Sequence, residues 1–267
     1  EQQLHVGFLG EGINDAPALK VSNISLVVQG ASDIAREAAD VILLKQSLEV
    51  IIDGIREGRS VFTNTMKYIQ ATLSSNFGNF YAVAIVSLFI DFLPMLPLQI
   101  LLVNLLSDFP MISIAADRVD QTELRKPKAY HVKDILLLAT FLGIVSTVFD
   151  FIYFAMFRHL PPSGLQTNWF IGSILTELLF LLSIRTPHLL TRGVRPAPII
   201  LLLSLAAAAL TIIIPFTSIG HDIFQFTSPT LAQLLTILGV AVMYLIVTEV
   251  VKLLYFRNKY ETHPART

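Results

Sequence analysis

The most distinctive chemical groups of this sequence lie close to its start, in the run Gly10-Glu11-Gly12-Ile13-Asn14-Asp15-Ala16-Pro17. Its two glycines allow a tight turn after the apolar residues 6–9. Glu11, Asn14 and Asp15 place two carboxylates and an amide beside the N-terminus of a predicted helix. Such a set suits a Mg²⁺ ion together with a phosphoryl group. On spacing alone, a glycine-rich turn with an aspartate cap remains the alternative.

A second set of polar residues lies within long apolar stretches. Its members are Asn76 and Asn79 in one stretch, and Asn104, Ser107 and Asp108 in the next. Residues three and four apart share one face of a helix, so each set predicts a polar face. A turn at residues 91–97 makes the two helices antiparallel neighbours. An ionised carboxylate inside a bilayer is costly and marks an ion pathway or a paired charge, so Asp108 predicts a cation site. For the serines, hydrogen bonding between helices is the alternative.

Three further acidic residues fall within predicted membrane helices. Glu177 is equally compatible with a cation ligand and with an interhelical hydrogen-bond partner. Asp150 is predicted to pair with Arg158 or to reach the membrane surface. Glu249 is predicted to form an ion pair with Lys252, which follows it by three residues.

The composition argues against a soluble enzyme. Of 267 residues, 54% are hydrophobic and only 15% are charged, against about 25% charged in ordinary soluble domains. The formal net charge of -1 lacks the basic character that nucleic-acid binding requires. With no cysteine, a disulfide framework and a thiolate metal site are both excluded.

Residues 1–48 are predicted to form part of an α/β domain. Apolar runs at residues 6–9, 24–28 and 41–44 predict three strands. Pro17 suits the first turn of one intervening helix, and Ser32 or Asp33 caps the other, which reaches Ala39. The chain starts without a Met or a signal-type segment, so we expect a piece of a longer protein.

Residues 49–267 are predicted to form a stalk and a mainly α-helical membrane bundle. The helical period begins near Leu48, and segments of the length that a bilayer requires follow one another. The six predicted spans are residues 66–92, 98–114, 135–157, 169–186, 197–216 and 230–254. Trp169, at the start of one of them, is predicted to lie in the aromatic belt at the membrane surface.

Basic residues in the short loops predict the orientation. Lys and Arg concentrate at residues 115–134, at residues 185–197 and in the C-terminal tail, whereas the opposite loops contain only Arg158. Because cytoplasmic loops carry the excess of basic residues, residues 1–60 and the C-terminus are predicted to be cytoplasmic. The protein is predicted to lie in a cell membrane, with the lipid bilayer as one of its partners.

The motif at Gly10 to Lys20 resembles the hinge motif of P-type ATPases, Gly-Asp-Gly-x-Asn-Asp-Ala-Pro-Ala-Leu. The resemblance covers nearly the whole chain. It continues through Asp33-Ile-Ala-Arg-Glu-Ala-Ala-Asp40, Ser74-Ser-Asn-Phe-Gly-Asn79 and Asn104-Leu-Leu-Ser-Asp108. The run at residues 74–79, the turn at 95–98 and the run at 169–186 are most similar to the magnesium-transporting branch.

This resemblance implies the end of a haloacid-dehalogenase-like phosphorylation domain, followed by the last six membrane helices of a pump. It implies catalytic roles for Asn14 and Asp15, cofactor binding by Gly12 and Asn14, and a catalytic Mg²⁺ held by Glu11 and Asp15. The implied ligands of the transported cation are Asn76, Asn79, Asn104, Ser107, Asp108 and Glu177. The family has Asp where this chain has Glu11, which is one methylene longer, so the metal geometry must shift.

The predicted function is therefore that of the C-terminal part of an ATP-driven cation pump, with Mg²⁺ as the transported ion because the polar faces are rich in amides and poor in carboxylates. The implied cofactors are Mg²⁺ and ATP, the nucleotide being bound mainly by a missing domain. The missing N-terminal part of the pump is the implied partner, because no Asp-Lys-Thr-Gly-Thr sequence occurs here. The alternatives are a pump for protons or another cation, and a non-catalytic membrane interaction protein.

Overall fold

The computed structural model describes residues 5–45, 47–125 and 127–262, with side chains as far as Phe256. These residues group into two compact units that divide between Gly58 and Arg59. Lys126 and the tail beyond Thr262, which contributed to the predicted orientation, lie outside the described residues.

The first unit contains a parallel sheet of three strands in the order β1-β2-β3. Gly7 pairs with Ile24, and Leu26 pairs with Val41. The strands are β1 (Gly7–Gly10), β2 (Ile24–Val28) and β3 (Val41–Leu43), and the helices between them are α1 (Ala16–Val21) and α2 (Asp33–Ala38). Ser32 caps α2 because its side chain accepts a hydrogen bond from the Ala35 amide. The predicted strand and helix order is confirmed.

The sheet of this unit is held by a small core and by a polar contact between the buried Ser25 and the exposed Asp40. Leu19, Val27 and Ala35 are fully buried between the sheet and the helices. Asp40 Oδ2 accepts hydrogen bonds from the Ser25 amide at 2.9 Å and the Ser25 hydroxyl at 2.7 Å. These bonds favour the charged carboxylate and lower the pKa of Asp40, so the start of β2 is tied to the end of α2.

The second unit is a helix bundle. Its first helix, α3, begins at Leu48, within the residues of the first unit, and ends at Val86, six residues before the predicted Phe92. The other helices are α4 (Pro97–Ile112), α5 (Gln121–Leu124), α6 (Val132–Phe157), α7 (Pro162–Ile184), α8 (Pro198–Ile213), α9 (Ser218–Asp222) and α10 (Leu231–Thr262). The short helices α5 and α9 were not predicted. Helix α7 begins seven residues before the predicted start at 169 because Pro162 occupies its first turn.

Five helices of the described chain are long and apolar enough to cross a membrane. They are α4 with its following turn, α6, α7, α8 with its following turn, and α10. Helix α3 is not among them because its second half carries Lys67, Asn76 and Asn79. The sixth span, predicted at residues 66–92, depends on this half of α3 and stays a prediction.

Helix α7 occupies the centre of the bundle, where α4, α6, α8 and α10 pack around it. Helices α3 and α6 approach closely through two glycines. A Cβ atom at Gly78 would lie 2.7 Å from the Ser146 Cβ, and one at Gly143 would lie 3.1 Å from the Phe77 Cβ. Small residues allow helix backbones to pack closely within a membrane. Gly78 therefore brings the polar face of α3 next to the bundle core.

Candidate functional site

The loop after β1 is organised by the side chain of Asp15. Its Oδ2 accepts hydrogen bonds from the backbone amides of Glu11 and Gly12, both at 2.9 Å. These two bonds lower the pKa of Asp15, the Gly12 bond most, because they stabilise the charged form. A Cβ atom at Gly10 would lie 2.8 Å from the Asp15 Cβ, so glycine is required there. Asp15 is thus an ionised carboxylate at neutral pH that also holds the loop closed.

The loop leaves several oxygen atoms free to meet a ligand. The side chains of Glu11 and Asn14 are exposed, while Asp15 is half-buried and commits only Oδ2 to the loop. Within the described residues, no group of three His, Cys, Asp or Glu side chains could hold a metal ion. The structure therefore brings the predicted Glu11, Gly12, Asn14 and Asp15 into one loop, with two carboxylates as its charged oxygen donors.

The polar faces of α3 and α4 meet, as predicted, at a cavity of about 250 Å³. Asn76 and Asn79 of α3 and Asn104 of α4 line it, together with Ser173 and Trp169 of α7. The remaining lining residues are apolar: Phe80, Val83, Met95, Ile100 and Val103. Three amide side chains therefore line one cavity, although Asn104 follows Asn79 by 25 residues in the sequence.

Glu177 of α7 joins this cavity through Asn79. Its side chain is 4% exposed, and Oε1 accepts a hydrogen bond from Asn79 Nδ2 at 2.5 Å. Asn79 Oδ1 in turn accepts a hydrogen bond from the Ser173 hydroxyl at 3.4 Å. Glu177 is therefore in contact with the polar face of α3, and the side chains of Ser75 and Ser107 lie around the same carboxyl group.

Asp108 and Ser107 occupy different positions from the three asparagines. Asp108 is exposed in the described chain and does not line the cavity, although its charge acts on Glu177. The buried Ser107 hydroxyl donates to the Val103 carbonyl of its own helix at 3.0 Å. Pro110 lies inside α4 and has no N–H, so the carbonyl of Leu106 lacks its usual helical donor. The second half of α4 therefore carries an exposed acid and a carbonyl that lacks its helical donor.

Two expectations for α6 and α7 are wrong. Trp169 is 2% exposed and its Nε1 donates to Asp150 Oδ1 at 2.8 Å, so it does not lie in a surface belt. Asp150 is buried at this contact and, within the described chain, forms no ion pair with Arg158. The reason is that α7 already begins at Pro162, which places Trp169 two turns inside the helix. The pair of prolines at 161–162 was the sequence signal for that start.

Buried ion pairs join the helix ends on the side of the loop between α4 and α6. The predicted pair of Glu249 and Lys252 is confirmed, and Lys252 is fully buried. Another buried pair was not predicted: Arg185 Nε donates to Asp117 Oδ2 at 2.8 Å and Nη2 donates to Oδ1 at 3.2 Å. Both side chains are almost fully buried, and Ala197 N also donates to Asp117. No local pattern signals a pair 68 residues apart.

These features define a multi-pass membrane protein with a small α/β unit and, in its helix bundle, a cavity lined by three asparagines. The family model of the C-terminus of cation-transporting ATPases matches residues 92–254. The chain belongs to this family of P-type ATPases, and the resemblance noted in the sequence is confirmed.

The individual relatives agree with the magnesium-transporting branch. The magnesium-transporting ATPase, P-type 1, of Salmonella typhimurium is 38% identical over 260 residues, which is 95% of this chain and 29% of the relative. The protein of the same name from Escherichia coli K12 is 37% identical over 263 residues, again 95% of this chain and 29% of the relative. A calcium-transporting ATPase of Bacillus subtilis is 31% identical over 196 residues, 68% of this chain and 22% of the relative. The chain thus spans less than a third of the length of these relatives.

Proposed function

We propose that this chain is the C-terminal part of an ATP-driven cation pump and that Mg²⁺ is the transported ion. The observation that carries the proposal is the contact of Glu177 with Asn79 beside a cavity lined by three asparagines. A buried carboxylate and several amide oxygens supply the hard oxygen ligands that Mg²⁺ and Ca²⁺ prefer. An ionisable residue buried within a membrane domain is costly, and its presence there indicates a functional site.

The composition of the cavity favours Mg²⁺ over Ca²⁺. Mg²⁺ keeps several of its waters and uses one or two carboxylates, whereas Ca²⁺ takes six to eight protein and water oxygens at longer distances. A cavity of about 250 Å³ has room for a cation together with several waters. Asn76, Asn79 and Asn104 can hydrogen-bond such waters through their amides. Glu177 supplies a carboxyl group that carries the negative charge once a cation is bound, and Asp108 lies near enough to act on it.

We propose a catalytic role for the loop of the α/β unit. Glu11 and Asp15 would hold the catalytic Mg²⁺, which neutralises charge on a transferring phosphoryl group when it is bound. Gly12 and Asn14 would face that phosphoryl group with a backbone amide and a side-chain amide. The bonds from Glu11 and Gly12 keep Asp15 ionised and fixed, so that it is ready to hold a cation. ATP would bind mainly to other parts of the pump, so the isolated chain should not hydrolyse it.

The same proposal includes the orientation and partners of the chain. Residues 1–60 and the C-terminus would lie in the cytoplasm, because the basic residues concentrate in the loops of that side. The helices would pack in a cell membrane against the N-terminal helices of the same pump. Those helices would cover the exposed face of α4 that carries Asn104 and Asp108.

The test is the ATPase activity of the complete pump in proteoliposomes, measured across Mg²⁺, Ca²⁺ and pH series. Asn79→Leu removes the donor to Glu177 and one cavity amide, so the half-saturating Mg²⁺ concentration should rise by about 10-fold to 100-fold, equivalent to one lost hydrogen bond to a charged group. Asp108→Asn should also weaken Mg²⁺ stimulation. Asp91→Asn, in the exposed turn before α4, is the matched control and should behave as the wild type.

The outcomes separate the candidate ions. Stimulation by Mg²⁺ that both variants weaken supports the proposal. Stimulation by Ca²⁺ alone would identify Ca²⁺ as the transported ion, and the cavity would remain the proposed transport site. Activity that follows pH, and that needs no metal beyond the Mg²⁺ required by the catalytic loop and ATP, would indicate a proton pump. An unchanged Mg²⁺ response in both variants would contradict the assignment of this cavity as the transport site.

A further inference from the structure

Asp150 is a buried acid of α6 with an incomplete set of partners. The residue is 3% exposed and lies inside a helix that is long and apolar enough to span the membrane. Oδ1 accepts one hydrogen bond, from Trp169 Nε1 at 2.8 Å, and Oδ2 is buried without a hydrogen-bond partner among the described residues. One neutral donor is far less than an ionised carboxylate needs away from water.

The described groups that act on Asp150 carry no positive charge. Among the described residues, the ion pairs do not include it. The titratable groups that act on it are Glu177 of α7, Tyr153 of its own helix and Tyr244 of α10. Each of them is neutral or negative, and the Tyr153 hydroxyl already contacts the Ile237 carbonyl at 3.2 Å. A buried acid in such surroundings takes up a proton rather than carry an unpaired charge.

Trp169 connects this acid to the cavity. The indole donates its N–H to Asp150, and the same residue lines the cavity beside Asn79, Asn104 and Ser173. The interface is tightly packed one turn further on, where a Cβ atom at Gly172 would lie 2.7 Å from the ring of Tyr153. Asp150 is therefore one fixed side chain away from the place where a cation would bind, and the charge of that cation acts on it through a medium of low dielectric constant.

We propose that Asp150 is a proton-binding site of the membrane domain and that a divalent cation entering the neighbouring cavity expels its proton. The cation favours the charged carboxylate, the O–H bond of the carboxylic acid breaks, and the proton leaves to water. The Trp169 N–H then stabilises the carboxylate that remains. By reciprocity, the bound proton weakens cation binding by the same factor. This inference rests on the proposed cation site.

The test counts protons released when MgCl₂ is added, without ATP, to the purified complete pump in weakly buffered detergent with a pH-sensitive dye. Calorimetry on the same samples gives the Mg²⁺ affinity. Asp150→Asn keeps the shape of the side chain and an oxygen that accepts the Trp169 N–H, but it cannot release a proton. It should therefore release one proton fewer per pump than the wild type. Asp222→Asn, an exposed acid between α8 and α10, is the control and should match the wild type.

The pH dependence of Mg²⁺ binding provides a second measurement. Each linked proton changes the affinity by up to about tenfold per pH unit. Asp150→Asn should therefore lower the slope of log affinity against pH by up to about one. Trp169→Phe keeps the acid but removes the donor that stabilises its charged form. Proton release in that variant should shift to higher pH, which tests the site even if Asp150→Asn fails to fold.

Two results would overturn the inference, and they differ from each other. If the wild type binds Mg²⁺ and Asp150→Asn releases as many protons as the wild type, Asp150 is not the proton site and the cation site stands. The same holds if Trp169→Phe leaves the pH of release unchanged. If the wild type binds no divalent cation by calorimetry, the proposed cation site fails and the proton inference fails with it.

Discussion

The loop after β1 and the cavity among α3, α4 and α7 both contain carboxylates and asparagines, but their carboxylates are held by different kinds of contact. Asp15 takes its hydrogen bonds from backbone amides three and four residues before it, in a loop where Glu11 and Asn14 are exposed. Glu177 is buried and takes its bond from Asn79, which is 98 residues away. The first carboxylate is fixed by local chain geometry, and the second by the packing of three helices.

The difference predicts where each region is vulnerable. The loop is held by contacts within about six residues, so a substitution there should change the catalytic rate more than the free energy of unfolding. The bundle holds its polar side chains by buried contacts between distant helices, so the loss of one partner leaves another polar or charged group unpaired in a dry environment. The following variants of the complete pump test this contrast, from the largest expected effect to the smallest.

Asp15→Ala should abolish phosphoenzyme formation, because it removes both the proposed Mg²⁺ ligand and the acceptor of two loop amides. Labelling with radioactive ATP measures the phosphoenzyme directly. Asp33→Ala, an exposed acid of the same unit, should label as the wild type does. Normal labelling of Asp15→Ala would show that the loop is structural.

Arg185→Leu should destabilise the helix bundle by about 3–5 kcal/mol, because it leaves Asp117 buried and uncompensated. Denaturant unfolding of the pump in detergent measures the loss. Arg192→Leu, an exposed basic residue of the next loop, should change the free energy of unfolding by no more than about 0.5 kcal/mol. The double variant with Asp117→Leu should be more stable than Arg185→Leu alone, and a further loss would contradict the buried pairing.

Glu11→Asp should preserve the ATPase rate or raise it severalfold. The shorter side chain restores the family motif, and Mg²⁺ tolerates distorted geometry poorly. Steady-state turnover at saturating ATP measures the effect, with Glu11→Gln as the variant that removes the charge. An inactive Glu11→Asp would show that the metal site is assigned to the wrong residues.

Acid should weaken the α/β unit through Asp40. Its pKa is lowered in the folded state, so its contribution is complete above its ordinary value of 3.8 and is lost as the pH falls through the folded value. Ser25→Ala removes the hydroxyl donor, so stability should decline less steeply with acidification, and Asp40→Asn should remove this contribution altogether. Hydrogen exchange of the amides of β2 measures both. Equal pH dependence in all three proteins would exclude the contact as its source.

Much of the fold follows from the sequence because it depends on local patterns. Three strands, the Ser32 cap and the apolar helices follow from the 2.0 and 3.6 periodicities and from capping chemistry. The meeting of Asn76, Asn79 and Asn104 followed from helix spacing and one short connection. The helix boundaries followed less closely: α7 begins at Pro162, seven residues before the predicted start, so Trp169 lies in the core and not in a surface belt.

The sequence by itself determined the α/β order, the loop of Asp15 and the membrane character of the rest, because each depends on residues close together in the chain. Only the tertiary structure decided which helix is central. In an apolar stretch of 18 residues, 83% of the residues of α7 are buried. The corresponding share in α8 is 28%, although α8 is the more apolar helix. Lipid accepts apolar side chains as readily as the core does, so polar and small residues gather inside. The contacts of Glu177, Asp150 and Arg185 arise from this packing, which no local pattern encodes.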